Sequence, residues 1–300
     1  MIRNYNETCF FVIAHNNWWQ LKKLIQQLDD ESNDIYVHID KKSKDFHIDD
    51  FIGITTYSGL FFYQEYEVFW GGYSQVEVEM YLMDKAHQKG YDYYHIISGA
   101  DLLLKSNSEI HDFFEKHKGL EFVDINDKKM HSDPEIKRRT KLYHFLQNYR
   151  RRYKVEFVNE IFTFLERLCL VLQIIVGINR TKTLDWKIKY GSNWVSITNS
   201  LVEVVLREKD KISKVFSYTN CADELFVQTV VYNCGFEERI YKAQDGMPSN
   251  VRYIDWSRGR NGNPYTFKIK DKGILLQNKA LFARKFSEKV DKEIIEQLVR

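Results

Sequence analysis

The sequence predicts an α/β fold whose Rossmann-like sheet begins with a pair of parallel strands. A short run of aromatic and β-branched residues from Cys9 to Ala14 is followed by apolar residues at helical spacing, and a second such run extends from Asp34 to Asp40. A strand, a helix and a strand of these lengths form a parallel pair in an α/β sheet. Ligands of such sheets bind beyond the carboxyl ends of the strands, so His15 and Asp40 are candidates for a binding site.

The α/β alternation continues through the first part of the chain. Residues 70–86 predict a glycine turn followed by a helix that Ser74 caps. The run Tyr93–Ser98 predicts another strand, which ends just before Asp101. Residues 106–109 precede a further predicted helix.

The same pattern resumes in the second half of the chain. Residues 189–198 predict a glycine turn that leads into a strand, and residues 200–206 predict a helix. A further helix is predicted for Asp223–Asn233, with an acidic pair in its first turn. Residues 251–256 predict a strand that a polar loop follows, and Leu281–Phe286 is predicted to be helical.

The composition limits the classes of function. The chain has 300 residues, 44% of them hydrophobic, and 44 Lys and Arg against 42 Asp and Glu give a formal net charge of +2. This balance provides no global attraction for nucleic acid, which is not an expected partner. The four cysteines show no metal-ligand spacing, and the N-terminus lacks the basic-then-apolar layout of a secretory signal. We therefore expect reduced thiols and a cytoplasmic protein.

One segment, residues 137–179, interrupts the pattern. Residues 137–154 carry eight basic side chains and no acidic one, and residues 157–178 are largely apolar. Their uncharged stretch falls short of the ~20 residues needed to span a bilayer. A basic segment beside an apolar helix can lie on an anionic leaflet, which would place the protein on the inner face of the cell membrane. A core helix with a solvated basic neighbour fits the same pattern equally well.

Two charged motifs are candidates for chemistry. Asp223-Glu224 lies at a predicted helix start, where an acidic residue more often complements the helix dipole than catalyses a reaction. Arg284-Lys285 lies between two phenylalanines, which fits either two solvated charges on a helix or a phosphate site. The sequence has no Asp-x-Asp motif, which holds the divalent metal in many transferases that use nucleotide sugars. A sugar transferase with this sequence would need fixed cations in place of the metal.

Eight short motifs occur in a fixed order along nearly the whole chain. They are Val12-Ile-Ala-His15, Val37-His-Ile-Asp40, Trp70-Gly-Gly-Tyr-Ser74, Ser98-Gly-Ala-Asp101 with Lys105-Ser-Asn107, Gly191-Ser-Asn-Trp194, Asp223-Glu224, Trp256 and Phe282-Ala-Arg-Lys-Phe286. In this order they resemble the core-2/I-branching β-1,6-N-acetylglucosaminyltransferase family, which also includes peptide xylosyltransferases and plant glucuronosyltransferases. The resemblance implies a GT-A-type nucleotide-sugar-binding fold with a mixed central sheet, in a single domain over residues 1–300 with a helical insertion at 137–179. It also implies an inverting mechanism, a UDP-sugar donor and no metal or other cofactor.

The resemblance assigns roles to individual residues. Glu224 matches the family's catalytic base, which takes the proton of the acceptor hydroxyl as that oxygen attacks the anomeric carbon opposite UDP. Lys285 matches the lysine that contacts the donor diphosphate. The other residues assigned to the donor site are Ala14, His15, Asp40, Asp101 and Arg284, and those assigned to the acceptor site are Trp256, Ser192 and Trp194. From position alone, His15 could equally be an ordinary loop histidine, Trp256 a core residue and residues 191–194 a structural turn.

One departure from the family concerns the second cation of the diphosphate site. Relatives pair the lysine with an arginine that follows a His-Val or His-Pro step, and the similar stretch here, Asn263-Pro-Tyr265, lacks that arginine. Arg258, Arg260 and Lys268 could each replace it, and the sequence does not choose among them.

The sequence therefore predicts an enzyme that transfers a sugar, with GlcNAc expected, from a UDP-sugar to a hydroxyl of a glycan acceptor. A lipid-linked acceptor in bacterial surface polysaccharide or glycan assembly fits this activity and a position at the inner membrane face. The alternative is a non-catalytic glycan- or nucleotide-binding protein on the same scaffold. The presence of both Glu224 and Lys285 argues against that alternative, because a binding protein has no need for a base.

Overall fold

The computed structural model describes residues 8–150, 152–153, 155–243, 246–260 and 262–299. Within these residues the strands are β1 (Thr8–Ala14), β2 (Asn33–Ile39), β3 (Gly59–Tyr63), β4 (Tyr93–Ser98), β5 (Asp101–Leu103), β6 (Ser196–Thr198), β7 (Arg252–Ile254) and β8 (Phe282–Arg284). The α-helices are α1 (Trp18–Leu28), α2 (Ser74–Ala86), α3 (Asn107–Lys116), α4 (Asp127–Ser132), α5 (Pro134–Lys141), α6 (Glu156–Ile175), α7 (Asn199–Arg207), α8 (Lys209–Phe216), α9 (Phe226–Asn233), α10 (Lys272–Gln277) and α11 (Lys292–Leu298).

The central sheet has five strands in the order β3-β2-β1-β4-β6. β1 runs parallel to both β2 and β4, β2 runs parallel to β3, and β6 is antiparallel to β4. This arrangement confirms the α/β class and the mixed central sheet expected for a GT-A-type fold. Because β1, β2 and β4 are parallel, their carboxyl ends meet at one edge of the sheet.

Helices cover both faces of the sheet. Cys9, Phe10, Phe11 and Val12 on β1 are completely buried, because their alternate side chains enter two different hydrophobic clusters. α1 packs on one face through its leucines and isoleucine at helical spacing, and α2, α7 and α9 cover the other face. The cluster that contains α1 also includes Leu298 of α11, so the first and last elements of the chain share one core.

A second, three-stranded sheet has the order β5-β8-β7. Its middle strand, β8, occupies residues 282–284, so the helix predicted for Leu281–Phe286 is wrong. β8 pairs antiparallel with β5 and parallel with β7, and Phe282 and Ala283 are buried between them. In so short an apolar run the sequence period cannot separate helix from strand, and tertiary pairing decides the outcome.

Two predicted helix starts also differ in the structure. Ser74 is the first residue of α2 and not its cap, because its hydroxyl accepts a hydrogen bond from the Phe69 amide at 2.9 Å. Asp223 and Glu224 lie in a separate 3₁₀ turn, Ala222–Glu224, that precedes α9. The turn leaves the acidic pair outside the regular helix. The predicted start of α3 is confirmed, since Ser106 and Glu109 form a reciprocal capping box.

The segment 137–179 contains most of α5 and all of α6. Arg151 and Lys154 of its basic run lie outside the described residues. In the part of the chain that the structure describes, no helix has the length and apolar character needed to cross a membrane. The division of the chain into one domain with an insertion at 137–179 stays a prediction.

Candidate active site

The carboxyl ends of β1 and β2 bring Ala14, His15 and Asp40 together. The Asp40 amide donates a hydrogen bond to the Ala14 carbonyl at 2.9 Å. The Asp40 carboxylate accepts from the Lys42 amide at 2.9 Å and pairs with the Lys42 ammonium at 2.8 Å. The chain turns tightly here, because the Ser43 hydroxyl donates to the His15 carbonyl at 2.7 Å. This edge of the sheet thus presents an imidazole and a paired carboxylate beside a backbone turn.

The charge environment favours a neutral His15. Burial lowers the pKa of the His15 imidazole, and the positive charges of Lys42 and Lys285 lower it further against the opposing effect of Asp40. A neutral imidazole can donate one hydrogen bond and accept another. The effect of Lys285 on His15 also places the ammonium from the second sheet within electrostatic range of the β1 end.

Asp101 and Arg284 form a buried pair where β5 meets β8. The two residues face each other across the ladder, and Arg284 Nε lies 3.4 Å from Asp101 Oδ1. Asp101 also accepts hydrogen bonds from the amide and hydroxyl of Ser98, at 2.7 and 3.1 Å. The Arg284 guanidinium lies 3.7 Å from the centre of the Trp194 ring. The structure therefore joins a predicted donor residue to a predicted acceptor residue through a cation–π contact.

Lys285 follows β8 and is half-buried. Its carbonyl accepts from the Phe267 amide at 2.9 Å, which fixes the backbone. Burial lowers the pKa of its ammonium, and the neighbouring Arg284 lowers it further. Within the described ranges no carboxylate forms an ion pair with Lys285. Its ammonium is therefore available to an anionic ligand.

Glu224 forms an ion pair with Arg139 of α5. Arg139 Nη1 donates to Glu224 Oε2 at 2.8 Å, and Arg139 Nη2 lies 3.3 Å from Glu135. The Glu224 side chain keeps 31% of its surface exposed, so one carboxylate can serve both the guanidinium and a bound molecule. Burial raises the pKa of Glu224, while Arg139 and Lys129 lower it. The pKa of Glu224 is raised overall, and the two cations limit that rise.

Asp223 precedes Glu224 in the same 3₁₀ turn and is buried. Its Oδ2 accepts from Gln75 Nε2 at 2.9 Å and from Asn193 Nδ2 at 3.2 Å. Burial and the charge of Glu224 raise the pKa of Asp223 to about 7. The charge of Asp223 in turn raises the pKa of the Arg284 guanidinium, whose own burial lowers it. Asp223 and Arg284 thus interact electrostatically, and this links the acidic turn to the end of β8.

Two glycine turns hold the acidic turn in place. The Gly191 amide donates to the Glu224 carbonyl at 2.9 Å. A Cβ atom at Gly191 would lie 1.7 Å from the Asp124 carbonyl oxygen, so only glycine allows this approach. Gly71, in the left-handed region at φ +73°, accepts from the Cys221 amide at 2.8 Å. The Trp-Gly-Gly-Tyr-Ser and Gly-Ser-Asn-Trp motifs therefore support the backbone around Glu224.

The predicted acceptor residues occupy different settings. Trp256 follows β7 and is 60% exposed, which leaves a ring free to contact a sugar. Ser192 is part of the Gly191 turn, where its hydroxyl accepts from the Trp194 amide at 3.3 Å. One face of Trp194 is covered by Arg284.

The three candidates for the second cation differ in their contacts. Arg258 is held by two carboxylates, with Nε 2.5 Å from Asp255 and Nη1 2.7 Å from Asp271. Its charge is therefore already neutralised. Arg260 and Lys268 are exposed and form no ion pair within the described ranges. The cations that do lie near the candidate donor site are Arg284 and Lys42.

Within the described residues, no group of three His, Cys, Asp or Glu side chains is arranged to hold a metal ion. Four basic side chains belong to the candidate site. Lys42 pairs with Asp40, Arg139 with Glu224 and Arg284 with Asp101, whereas Lys285 forms no ion pair with a carboxylate of the described residues.

Sequence reasoning missed the role of Arg139. It grouped this residue with the basic run of 137–154, whereas the structure turns it inward onto Glu224, 85 residues further along the chain. Lys42 was also missed, although it follows Asp40 closely enough that a local pair could have been expected.

Comparisons with known proteins agree with the family resemblance. The chain is 24% identical over 308 residues to xylosyltransferase 2 of Canis lupus familiaris, and 24% and 23% identical over 307 residues to the proteins of that name from Homo sapiens and Rattus norvegicus. Each alignment covers 92% of this chain but 31% of the relative, so the chain spans about a third of the length of these curated relatives.

Among solved structures, apo mouse xyloside xylosyltransferase 1 aligns with 92% of this chain and 96% of its own, at 8% identity and a TM-score of 0.39. The family model described as Core-2/I-Branching enzyme matches residues 8–279. Because that match covers most of the sequence, the chain belongs to the Core-2/I-Branching enzyme family, a family of glycosyltransferases.

Proposed function

We propose that this protein is an inverting glycosyltransferase that moves a sugar from a UDP-sugar to a hydroxyl group of a glycan acceptor. One bond forms between the acceptor oxygen and the anomeric carbon, and the bond between that carbon and the UDP oxygen breaks. The proton of the acceptor hydroxyl goes to a base of the enzyme. UDP leaves with the electron pair of the broken bond and therefore carries the negative charge. GlcNAc is our proposed donor sugar, and the xylosyltransferase relatives make xylose the first alternative to test.

Glu224 is the proposed catalytic base. An inverting displacement needs one carboxylate that takes the acceptor proton as the new bond forms. The Glu224 side chain is partly exposed, and its Oε2 is fixed by Arg139 at 2.8 Å. Arg139 would therefore orient the carboxylate while Oε1 faces the acceptor. Since ionisation activates a base, the guanidinium also keeps Glu224 ready for proton transfer near neutral pH.

Lys285 and Arg284 are the proposed partners of the departing diphosphate. Negative charge grows on the UDP oxygen in the transition state, and cations placed there lower the barrier. The Lys285 ammonium has no carboxylate ion pair within the described residues, so it can turn to the ligand. Arg284 is held by its contacts with Asp101 and Trp194, and its positive charge lies next to Lys285 in the chain. This arrangement supports a reaction that needs no metal ion.

The carboxyl ends of β1 and β2 form the proposed nucleotide pocket. Ala14 and His15 would contact the uridine, and Asp40 would hold the turn through Lys42. Trp256, which is exposed, would pack against the acceptor sugar together with the turn at Ser192 and Trp194. We further propose a lipid-linked acceptor and a role in bacterial surface polysaccharide or glycan assembly on the cytoplasmic side.

The single observation that carries the proposal is the set of contacts by which the turn at residues 191–194 reaches both the acidic turn and Arg284. The Gly191 amide donates to the Glu224 carbonyl at 2.9 Å, and Asn193 Nδ2 donates to Asp223 Oδ2 at 3.2 Å. The centre of the Trp194 ring lies 3.7 Å from the Arg284 guanidinium, at the end of β8 that Lys285 follows. A transferase needs its base and its leaving-group cation at one site.

The test is a transfer assay with UDP-GlcNAc, UDP-xylose and UDP-glucuronic acid, together with a UDP-binding measurement. Glu224→Gln should bind UDP normally and lose at least a thousandfold in transfer. Glu135→Gln is the matched control, because Glu135 pairs with the other terminal nitrogen of Arg139 and its side chain is 57% exposed. Near wild-type turnover in Glu224→Gln would remove Glu224 from the mechanism. Binding of UDP without transfer to any acceptor would favour a non-catalytic binding protein.

The metal-free part of the proposal is tested separately. Transfer should be unchanged when EDTA is present during the assay. Abolished transfer that Mg²⁺ or Mn²⁺ restores would show that a bound ion, and not the lysine, neutralises the leaving group.

A further inference from the structure

The longest helix, α6, exposes an apolar surface. Nine of its residues are apolar and are between 39% and 73% exposed. At about 100° per residue, eight of them fall within an arc of about 120° around the helix axis that contains no charged residue, and the ninth, Ile174, lies about 60° outside it. The eight are Phe157, Ile161, Phe164, Leu165, Leu168, Val171, Leu172 and Ile175. We call this arc the outer face. A soluble protein rarely leaves so large a contiguous apolar surface in water without a partner.

The orientation of α6 is fixed by polar contacts on its opposite side. Its buried residues are Glu166, Leu170 and Gln173, which lie about half a turn away from the outer face. Glu166 Oε1 lies 2.9 Å from His144 Nδ1, and Glu166 Oε2 accepts from the Leu146 amide at 3.0 Å. Gln173 exchanges two hydrogen bonds with the backbone of Tyr143, at 2.8 and 2.9 Å. The usual arrangement is inverted, because the polar side of α6 faces the protein and the apolar side faces outward.

Aromatic residues lie beside this helix. Tyr149 and Tyr153 stack on Phe162 of α6, with ring centres 5.3 and 5.4 Å apart, and each tyrosine is 38% exposed. Phe145 is 52% exposed and stacks on Tyr143. Tyrosine rings with one apolar and one polar end are typical of the boundary between water and lipid.

The charged residues around α6 favour an anionic surface over a second copy of this chain as its partner. Arg138 and Lys141 are exposed on α5, whose chain leads directly into Tyr143, and Lys182 is exposed after the C-terminal end of α6. The exposed glutamates of α6, Glu156 and Glu160, lie outside the outer face. A second copy of this chain on the same face would bring the basic residues beside α6 of both copies near one another, which is unfavourable. An anionic surface would be attracted to the same residues.

We propose that the outer face of α6 docks on the surface of an anionic lipid bilayer. The helix lies in the plane of the membrane, its apolar residues enter the boundary between headgroups and acyl chains, and the basic residues contact anionic headgroups. The proposal rests on the orientation, exposure and charge of α5 and α6. It does not depend on the reaction proposed above.

The apolar part of the proposal is tested by flotation with phosphatidylcholine vesicles and with vesicles that also contain phosphatidylglycerol. The wild-type protein should float with the anionic vesicles and much less with the neutral ones. Phe164→Glu combined with Leu168→Glu should lower the bound fraction at least tenfold. The matched control is Ile52→Glu, because Ile52 is 78% exposed and lies far along the chain from α6, so this variant should float like the wild type.

The electrostatic part is tested by neutralising basic residues. Each basic residue near an anionic leaflet strengthens binding about fivefold, so Arg138→Gln combined with Lys141→Gln should weaken it about 25-fold. Lys116→Gln combined with Lys270→Gln removes two exposed charges elsewhere and should have little effect. Higher salt should weaken binding of the wild type and of this control alike.

Three results would overturn the proposal. The first is a wild-type protein that stays unbound with both kinds of vesicle. The second is equal flotation of Phe164→Glu/Leu168→Glu and the wild type. The third is a concentration-dependent dimer, seen by sedimentation, that the same variant dissociates, which would assign the outer face to a second copy. Unchanged melting temperature and UDP binding in the variants would show that they fold normally.

Discussion

Arg139 Nη1 lies 2.8 Å from Glu224 Oε2, which makes a guanidinium from α5 the direct partner of the proposed base. The two side chains are 15% and 31% exposed, so the pair is partly shielded from water. Burial alone would raise the pKa of Glu224, and the guanidinium opposes that effect. The position of Arg139 should therefore determine the pH at which the carboxylate becomes a base.

Replacement of Arg139 by glutamine should move the acid side of the pH profile to higher pH. The base must be deprotonated, so activity falls as the pH drops through its pKa, and loss of the positive charge raises that pKa. At neutral pH we expect kcat/KM to fall about tenfold or more, with partial recovery at higher pH. The measurement is kcat/KM against pH for wild type and variant.

Arg138→Gln is the control for this experiment, because Arg138 is the exposed neighbour of Arg139 on α5. Its profile with a soluble acceptor should match that of the wild type. An unshifted acid side in Arg139→Gln would mean that the arginine does not control the ionisation of Glu224.

Replacement of Lys285 by alanine should reduce kcat by about a hundredfold to a thousandfold, the usual cost of removing one group that stabilises developing charge. Lys285→Arg should retain part of the activity, because the charge is kept while its geometry changes. The half-buried side chain forms no ion pair in the described part of the chain, so stability should change little. Steady-state kinetics and UDP titration separate the effect on kcat from that on binding.

Lys268→Ala provides the comparison, since Lys268 is exposed and is one of the three candidates for the second cation that the sequence offers. If both lysine variants lose activity equally, the assignment of the leaving-group cation to Lys285 is wrong.

The sequence predicts where His15 and Asp40 lie in the fold because this part of the fold follows local rules. Buried runs of β-branched and aromatic residues predict β1 and β2, and parallel strands end at the same sheet edge. His15 and Asp40 follow from that rule alone. The glycine motif at 191 was predicted as a turn, and the structure adds that its amide contacts the Glu224 carbonyl.

The rest of the site depends on contacts between residues that are far apart in sequence. Arg139 and Glu224 are separated by 85 positions, and nothing in the local sequence distinguishes Arg139 from the exposed basic residues beside it. Residues 281–286 were predicted to be helical because a short run has no clear period, whereas pairing with β5 and β7 makes Phe282–Arg284 a strand and leaves Lys285 just after it. Such contacts are set by tertiary packing.

Ionisation of Asp223 should make the protein less stable as the pH rises from about 4 to about 7. Burial and the charge of Glu224 raise its pKa from an ordinary value of 3.8 to about 7 in the folded protein, so the folded state binds the proton more tightly than the unfolded state in this range. Buried Glu79, whose pKa is also raised by burial and by Asp223, acts in the same direction. Asp223→Asn removes this ionisation. At pH 8 the free energy of unfolding of the variant should therefore rise by a few kcal/mol relative to that of the wild type.

The measurement is the melting temperature of wild type and Asp223→Asn at pH 5 and pH 8. The melting temperature of the variant minus that of the wild type should be larger at pH 8 than at pH 5. Asp210→Asn, on the exposed surface of α8, should show no such shift. A pH-independent difference for Asp223→Asn would show that Asp223 is already ionised at pH 5 or stays neutral at pH 8.

Substitution of Gly191 by alanine should lower kcat, although Gly191 itself has no side chain that could contact a substrate. The new Cβ would lie 1.7 Å from the Asp124 carbonyl oxygen, so the turn must move away. That movement pulls on the amide that holds the Glu224 carbonyl at 2.9 Å. We expect a loss of about 1–3 kcal/mol in stability, as for other overpacked sites, and a fall in kcat of tenfold or more.

Gly273→Ala is the matched control, because no atom lies within 4 Å of its added Cβ. Gly273 is in α10, where alanine should raise stability by about 0.5–1 kcal/mol without any change in kcat. Equal turnover in the two variants would mean that the Gly191 turn does not position Glu224, and a fall in kcat confined to Gly191→Ala would connect the backbone of this turn to the base.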